Sequence, residues 1–211
     1  MRIAVVTEAS TVQKNHDVVE ALRVTGHEVI NIGMENTPNE PPLTYLETGF
    51  LSALAIHLGL ADFVVGGCGT GQGYFNAVCQ FPGMFCGLIV DPTDAWLFAQ
   101  INGGNCVSLA LNKGYGWAGD VNLKFIFEKL FSVEFGSGYP EHRKEPQKAA
   151  RSSLSALSVA SHKSMEDIVA SMDSAVLMTA LSFPHVWDLV QSADAGRARL
   201  VKALARRYMA P

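Results

Sequence analysis

The sequence contains no apolar run long enough to cross a lipid bilayer. Its apolar stretches, such as residues 63–65, are a few residues long, whereas a membrane-spanning helix needs about 20 apolar residues. No charged segment, longer apolar stretch or small-residue cleavage site precedes the strand-like run at residues 2–6, so no export signal is predicted. We therefore expect a cytoplasmic protein without a membrane partner.

The sequence also has few cysteines, no histidines at a metal-binding spacing and only a small net charge. The four cysteines lack the close spacing of a zinc site or of a secreted disulfide scaffold, and the six histidines lack a metal-ligand spacing. No G-x-S-x-G motif marks a serine hydrolase. A formal net charge of −4 gives no general attraction to nucleic acid or anionic lipid. These absences predict reduced thiols, no metal and no nucleic-acid partner.

What the sequence does contain is an alternation of short β-branched runs with segments of helix length. The strand candidates are residues 3–6, 28–32, 63–67, 85–90 and 106–111. The helix candidates are roughly residues 12–25, 43–58, 71–80, 92–101 and 118–131. The runs are almost continuously apolar, as in a parallel sheet that crossover helices cover on both faces. This pattern predicts an α/β fold, a three-layer α/β/α Rossmann-like sandwich around a five-stranded parallel sheet.

A change in composition near residue 146 predicts a boundary. Residues 136–146 are rich in glycine, proline and charge and should be irregular, and residues 149–161, dominated by alanine and serine, are typical of a mobile connector. Further on, Ser164 and Asp194 resemble helix starts, and Pro184 should interrupt a helix. We expect an α/β domain over residues 1–146 and a helical extension over residues 147–211.

The end of the third predicted strand is the most informative segment, because glycine occupies every second position from Gly67 to Gly73. Glycine lets a ligand approach the backbone closely, and a helix beginning near Gly71 would point free N–H groups at an anion. Ligands of open α/β sheets bind beyond the carboxyl ends of the strands, where Cys68 would lie. We therefore predict that Cys68 is a general base beside an oxyanion site formed by backbone amides.

Two other interpretations of this segment stay open. In one, Cys68 is a small buried apolar residue in a tight turn. In the other, Gly69, Gly71 and Gly73 form a dinucleotide loop, with Asp91 after the next strand as the ribose ligand. The spacing is G-x-G-x-G rather than G-x-G-x-x-G, and the loop follows the third strand rather than the first, which disfavours a nucleotide.

Four stretches are specific in combination although none is specific alone: residues 26–33, residues 68–73, Asp91-Pro92 with Asn102 and Asn105, and residues 134–138. Together they resemble the ribose-5-phosphate isomerase B and galactose-6-phosphate isomerase family of metal-independent sugar-phosphate isomerases, over about residues 2–143. In that family a cysteine moves a proton between carbons 1 and 2 of the sugar, while the amides of the glycine loop hold the enediolate charge. The resemblance and the reasoning from the residues agree on Cys68.

The resemblance also implies the remaining roles. It makes Cys68 and Thr70 catalytic, and it implies that Thr70 and Asn102 bind sugar oxygens. The implied substrate-binding residues are Glu8, Gly69, Gly71, Gln72, Gly73, Asn102, Tyr139 and Arg143. It implies a small sugar phosphate as substrate, no cofactor, and a homodimer or tetramer whose active sites borrow residues from both subunits.

The chain departs from the family pattern at several positions. Glu8 and Ala9 stand where the family has Asp-His, and Ile101 replaces the ring-opening histidine before Asn102. Of two phosphate-binding arginines only Arg143 remains, because the other position holds Tyr139. A substrate that cannot cyclise, such as a tetrose phosphate, needs no ring-opening acid.

We therefore hypothesise an aldose–ketose isomerase acting on a short or atypical sugar phosphate. The alternatives are a non-catalytic homologue that binds sugar phosphates or has a regulatory role, and a nucleotide-dependent oxidoreductase.

Overall fold

Five parallel strands form one sheet in the computed structural model, which describes residues 1–38 and 40–209. The strands are β1 (Arg2–Thr7), β2 (Glu28–Asn31), β3 (Phe63–Cys68), β4 (Cys86–Ile89) and β5 (Cys106–Ala110). Their order across the sheet is β2-β1-β3-β5-β4, and every ladder is parallel. Because helices cover both faces, the predicted three-layer α/β/α Rossmann-like class is confirmed.

Five helices connect and follow the strands, and they match the predicted segments to within a few residues. They are α1 (Asn15–Arg23), α2 (Tyr45–His57), α3 (Gln72–Val78), α4 (Pro92–Leu97) and α5 (Gly119–Leu130). The segment predicted as one helix from residue 12 instead begins as a 3₁₀ helix, Ala9–Lys14, which the Glu8 side chain caps. α4 continues into one turn of π-helix, Phe98–Asn102. Thr44 and Glu47 form the capping box that starts α2.

The sheet separates two apolar cores. Phe50 of α2 and Tyr74 of α3 pack on one face, whereas Leu22 of α1 and Phe127 of α5 pack on the other, all with essentially no exposure. β3 lies in the middle of the sheet and all six of its residues are buried. The strand that ends at Cys68 is therefore held on both faces and along both edges.

Residues 144–208 add five more helices. They are α6 (Lys144–Ser161), α7 (Met165–Ser171), α8 (Ser174–Leu181), α9 (Val186–Gln191) and α10 (Ala198–Tyr208). Ser164 caps α7, Asp194 precedes the turn that leads into α10, and the chain is not helical at Pro184, as predicted. The proposed division between residues 1–146 and 147–211 falls in the first turn of α6 and remains a proposal.

The predicted mobile connector at residues 149–161 is wrong, because this segment is helical throughout as part of α6. Alanine has the highest helix propensity, and the leucines among the serines do not oppose a helix. The predicted irregular segment also ends earlier, at residue 140, because Glu141–Arg143 form a 3₁₀ helix that leads into α6. Pro146 is tolerated in the first turn of α6, where its missing N–H would have no intrahelical partner.

The C-terminal helices are attached in two different ways. Helices α7 to α10 share the apolar core of α2, with Leu177 and Leu181 fully buried. The Arg207 side chain donates hydrogen bonds to the carbonyls of Val169, Ala170 and Met172, which closes the end of α7. In α6, by contrast, Ser158 is the one buried residue of the eighteen.

None of the helices in the described ranges is both long and apolar enough to span a membrane.

A close contact between helix and sheet lies under the glycine loop. A Cβ atom on Gly66 would lie 2.1 Å from Cζ of Tyr74, so glycine is required for the ring to pack against β3. Ser52 Oγ donates to the Thr48 carbonyl at 2.6 Å, so the Tyr74 hydroxyl donates to Ser52 at 2.7 Å. This contact fixes the distance between α3 and β3.

We expect Gly66→Ala to lower the free energy of unfolding by about 3 kcal/mol, because a methyl group would overpack a filled core. Gly26→Ala is the matched control, since Gly26 has a φ of 76° but no neighbour within 4 Å. Its cost should be the left-handed strain of about 1–2 kcal/mol. Urea unfolding of both variants measures the difference, and an equal loss at the two positions would contradict the packing argument.

Candidate active site

Cys68 is the last residue of β3 and is 6% exposed. It pairs with Ala110 in the neighbouring strand β5. Its carbonyl accepts hydrogen bonds from the amides of Gly71, at 3.2 Å, and Leu111, at 3.1 Å. The backbone that carries the thiol is therefore fixed both by the following turn and by the end of β5, at the carboxyl edge of the sheet as predicted.

The turn after Cys68 leaves amide groups free. The Gly69 carbonyl accepts from the amides of Asn112 and Lys113, at 3.0 and 2.9 Å, and the Gly71 carbonyl accepts from Ser108 Oγ at 2.5 Å. The amides of Gly69 and Thr70, in contrast, have no hydrogen-bond partner within residues 1–38 and 40–209. Carbonyls that point inward and amides that remain free make a turn that can bind a negatively charged oxygen.

Gly71 must be glycine for this turn to form. Its φ is 77°, and a Cβ atom would lie 2.7 Å from Leu88 Cδ1 and 3.2 Å from the Leu109 carbonyl carbon. The following residue, Gln72, begins α3, and its amide is 3.4 Å from Thr70 Oγ1. Thr70 itself is exposed, so its hydroxyl is available to a ligand.

Glu8 lies at the carboxyl end of the neighbouring strand β1 and is 7% exposed. Its carboxylate accepts hydrogen bonds from the hydroxyl and, at 3.3 Å, from the amide of Ser10. Asn112 Nδ2 donates to the Ser10 carbonyl at 2.8 Å. A Cβ atom on Gly69 would lie 3.4 Å from Ser10 Oγ and 3.3 Å from Asn112 Nδ2. The ends of β1, β3 and β5 thus meet around Gly69.

Ser10, Tyr45 and Asn112 were not predicted as site residues. Tyr45 opens α2, is 46% exposed, and its Cδ1 lies 3.0 Å from the position of a Cβ atom on Gly73. Ser10 and Asn112 follow the carboxyl ends of β1 and β5, and the rule that led to Cys68 applies to those ends as well. Tyr45 has no comparable signal, because it is brought to the loop only by the packing of α2 against α3.

The other three cysteines lie away from the turn and are free thiols, as Cys68 is. Burial raises the pKa of the Cys86 thiol far above its usual range, and burial also raises the pKa of Cys79. Both therefore stay protonated at neutral pH and are poor bases. Cys106 is fully buried, 3.4 Å from the Tyr74 hydroxyl.

Asn102, Tyr139 and Arg143 form a second group, near the edge strand β4. Asn102 is exposed in the π-helical turn and lines a cavity of about 460 Å³ between that turn and α6. Tyr139 stacks edge-on against Trp96 at 4.9 Å, and the Arg143 side chain is exposed. Within the described parts of the chain, no hydrogen bond, aromatic contact or shared cavity joins these three to Cys68 or the glycine loop. One chain thus presents the predicted site as two separate groups.

The remaining sequence interpretations concern Asp91 and metal ions. The Asp91 carboxylate accepts hydrogen bonds from the amides of Thr93, at 2.7 Å, and Asp94, at 2.9 Å, so it caps α4. That role accounts for an acidic residue at this position without a ribose. Among the residues that the structure describes, no three His, Cys, Asp or Glu side chains are grouped so that they could hold a metal ion.

Comparison with known proteins adds the family to this geometry. The family model described as ribose/galactose isomerase matches residues 3–147. The chain belongs to this family. Its members are isomerases, and the resemblance stated from the sequence is confirmed.

Two solved structures match the chain over nearly its whole length. One is a 4-deoxy-L-threo-5-hexosulose-uronate ketol-isomerase complexed with a tartrate, which is 36% identical, with a TM-score of 0.91, over 97% of this chain and 99% of its own. The other is a ribose-5-phosphate isomerase from Vibrio parahaemolyticus, which is 37% identical, with a TM-score of 0.89, over 97% of this chain and 99% of its own. Both matches extend far beyond residue 147, so they include most of the C-terminal helices.

A shorter isomerase shares the α/β fold alone. The ribose-5-phosphate isomerase B of Clostridium thermocellum is 20% identical, with a TM-score of 0.63, and the match covers 99% of that protein but 76% of this chain. About a quarter of this chain therefore has no counterpart there. The two long relatives therefore match a larger part of this chain than this shorter one does.

Proposed function

We propose that this isomerase interconverts an aldose and a ketose through a cis-enediolate, with Cys68 as the base that moves a proton between carbons 1 and 2. The observation that carries the proposal is the position of Cys68 at the end of β3, directly before the free amides of Gly69 and Thr70. Base and oxyanion donors then lie in consecutive residues. The mechanism uses no metal and no cofactor.

In the forward direction the Cys68 thiolate takes the proton from C2, and the electron pair of that bond forms the C1–C2 double bond. The carbonyl electrons move to O1, where the amides of Gly69 and Thr70 donate hydrogen bonds to the new charge. Cys68 then returns the proton to C1, and C2 becomes the carbonyl carbon. Gln72, Gly73 and Tyr45 border the same turn and can contact the remainder of the sugar chain.

For the substrate we propose a linear 4-deoxy-5-hexosulose uronate. In such a molecule C4 carries no hydroxyl and C5 is a ketone, so the C1 aldehyde cannot close a five- or six-membered ring through O4 or O5. It needs no ring-opening acid at C1, which agrees with Ala9 and Ile101 in place of histidines. Its carboxylate bears one charge and matches the single guanidinium of Arg143 better than a phosphate dianion does. A relative named for this activity shares the C-terminal helices.

A sugar phosphate is the second candidate. The family match and the Vibrio parahaemolyticus relative favour it. A short sugar phosphate that cannot cyclise, such as a tetrose phosphate, would also explain the missing histidines. The Tyr139 hydroxyl would then be a single hydrogen-bond donor in place of one arginine.

The location in the cytoplasm stays a prediction.

We also propose a homodimer, alone or within a tetramer, whose active sites are shared. Cys68 and the glycine loop belong to one subunit, and the partner supplies Asn102, Tyr139 and Arg143. Two observations support this arrangement: these residues form a separate group within one chain, and the adjoining helix α6 exposes Leu154 and Leu157, which share one face of the helix, by 50 and 60%. An apolar helix face beside an incomplete site is typical of a subunit interface.

The first test follows conversion and deuterium uptake by NMR in heavy water, with the deoxyhexosulose uronate and, separately, tetrose, pentose and hexose phosphates. We expect exchange with the uronate, and Cys68→Ala should lose it while folding normally, because the variant lacks the thiol that is proposed to take the carbon-bound proton. Cys79→Ala is the matched control and should keep full activity. Exchange with a phosphate alone would select the second candidate, and binding without exchange would select the non-catalytic homologue.

Arg143 gives a test of how the anionic group is held. Arg143→Gln should raise KM about 10- to 100-fold with a smaller change in kcat, since a charge-assisted hydrogen bond contributes about 1.5–3 kcal/mol. Arg143→Lys should recover part of the loss. Arg199→Gln, on the exposed face of α10, is the charge-matched control. Unchanged kinetics in Arg143→Gln would remove this residue from the site.

Complementation tests the shared site. Cys68→Ala and Arg143→Ala should each be strongly impaired as pure proteins. After co-expression, random pairing should give mixed dimers with one intact site each, so about one quarter of wild-type activity should return. Activity that stays at the level of the separate variants would place Cys68 and Arg143 in the site of the same subunit.

A further inference from the structure

The buried carboxylate of Glu8 lies beside the Cys68 turn with a hydroxyl as its partner. Its Oε1 accepts the hydrogen bond of Ser10 Oγ, and its Oε2 accepts from the Ser10 amide at 3.3 Å. Glu8 is 7% exposed, whereas Ser10 is exposed. The carboxylate therefore reaches the surface of the site through the hydroxyl of Ser10.

Ser10 is held against the turn by the end of β5. Asn112 Nδ2 donates to the Ser10 carbonyl at 2.8 Å, while the Asn112 amide donates to the Gly69 carbonyl at 3.0 Å. The position of a Cβ atom on Gly69 is 3.4 Å from Ser10 Oγ. The hydroxyl thus lies close to Gly69, whose free amide is proposed to hold the enediolate oxygen.

One proton transfer of the proposed reaction has no assigned residue. When Cys68 has taken the C2 proton, O1 carries the charge and O2 still carries its hydrogen. Before C2 can become a carbonyl carbon, O2 must lose that hydrogen and O1 must gain one. Cys68 holds the carbon-bound proton at this stage, and Ala9 and Ile101 have no group that transfers protons.

We propose that Ser10 carries this proton from O2 to O1, with Glu8 as its positioning residue. The inference rests on the proposed isomerase function. The O2–H bond breaks and its hydrogen binds Ser10 Oγ, while the hydroxyl hydrogen of Ser10 moves to O1. The charge passes from O1 to O2, the O2 electron pair forms the C2 carbonyl, and C1 takes the proton of Cys68. Ser10 ends as a hydroxyl and Cys68 as a thiolate.

Glu8 suits the positioning role because its charge makes the hydroxyl oxygen a better proton acceptor. Between turnovers the Ser10 hydrogen points to Glu8, which leaves the lone pairs of Oγ for the O2–H group. Thr70 is an exposed hydroxyl within the same turn, but Thr70 Oγ1 is bonded only to the Gln72 amide, at 3.4 Å, and to no carboxylate in the described ranges. Ser10 therefore fits the transfer between oxygens better than Thr70 does.

The test separates proton loss at carbon from transfer between oxygens. In heavy water, deuterium uptake at C2 of unconverted deoxyhexosulose uronate reports the Cys68 step, and ketose formation reports the complete reaction. Ser10→Ala should lower conversion about 100-fold, as for loss of a general acid–base group, while C2 exchange stays within about twofold of wild type. The ratio of exchange to conversion should therefore rise about 100-fold.

Three variants serve as controls. Ser10→Thr keeps the hydroxyl and should keep the wild-type ratio. Glu8→Gln keeps the size of the side chain but removes its charge, and it should shift the ratio in the same direction by a smaller factor. Ser132→Ala removes an exposed hydroxyl that donates to the Lys129 carbonyl, and it should change neither rate. Thermal unfolding of each variant confirms that the fold is retained.

Normal conversion by Ser10→Ala would overturn the proposal, as would an equal loss of exchange and conversion. A change of ratio in Thr70→Ala but not in Ser10→Ala would assign the transfer to Thr70. If the wild-type protein shows no Cys68-dependent exchange with the uronate or the phosphates, the proposed isomerase function itself fails. In that case the premise of the Ser10 transfer is removed as well.

Discussion

The site depends on the close approach of α3 to β3, which the absence of a side chain at Gly66 permits. Tyr74 lies fully buried against this glycine, and its hydroxyl joins α2 through Ser52 and approaches Cys106 of β5. Burial raises the pKa of Tyr74 well above its usual range, so the hydroxyl remains a donor. One ring thereby connects four elements, α3, β3, α2 and β5, and the turn that follows Cys68 spans the narrow gap between β3 and α3.

The same turn explains why backbone rather than side chains supplies the predicted oxyanion site. The Cys68 and Gly69 carbonyls accept from amides of residues 71 and 111–113, whereas the Gly69 and Thr70 amides have no partner in the described ranges and remain available to a ligand. Fixed amides need no reorganisation when charge develops on a substrate oxygen.

The sequence predicted the sheet, its parallel strands and the position of Cys68, because these depend on apolar periodicity and on glycine spacing. It failed at residues 149–161, where serine-rich composition suggested a connector, since composition does not record that Leu154 and Leu157 lie on one face of a helix. Ser10, Tyr45 and Asn112 were missed for a related reason. Each is an ordinary residue in sequence and acquires its position only when the ends of β1 and β5 and the start of α2 meet at the glycine turn.

The departures from the family pattern become consistent when they are considered as one set of constraints on a ligand. A histidine acid is needed only where a hemiacetal at C1 must be opened, and a second guanidinium is needed chiefly where a dianion must be neutralised. Ala9, Ile101 and Tyr139 remove all of these groups, whereas Cys68 and the glycine turn, which are proposed to act on C1 and C2, are kept. Losses that fall on ring opening and anion binding, and not on proton transfer at carbon, argue for an active isomerase with a different substrate. A binding protein free of catalytic selection would have no reason to keep the cysteine beside two free amides.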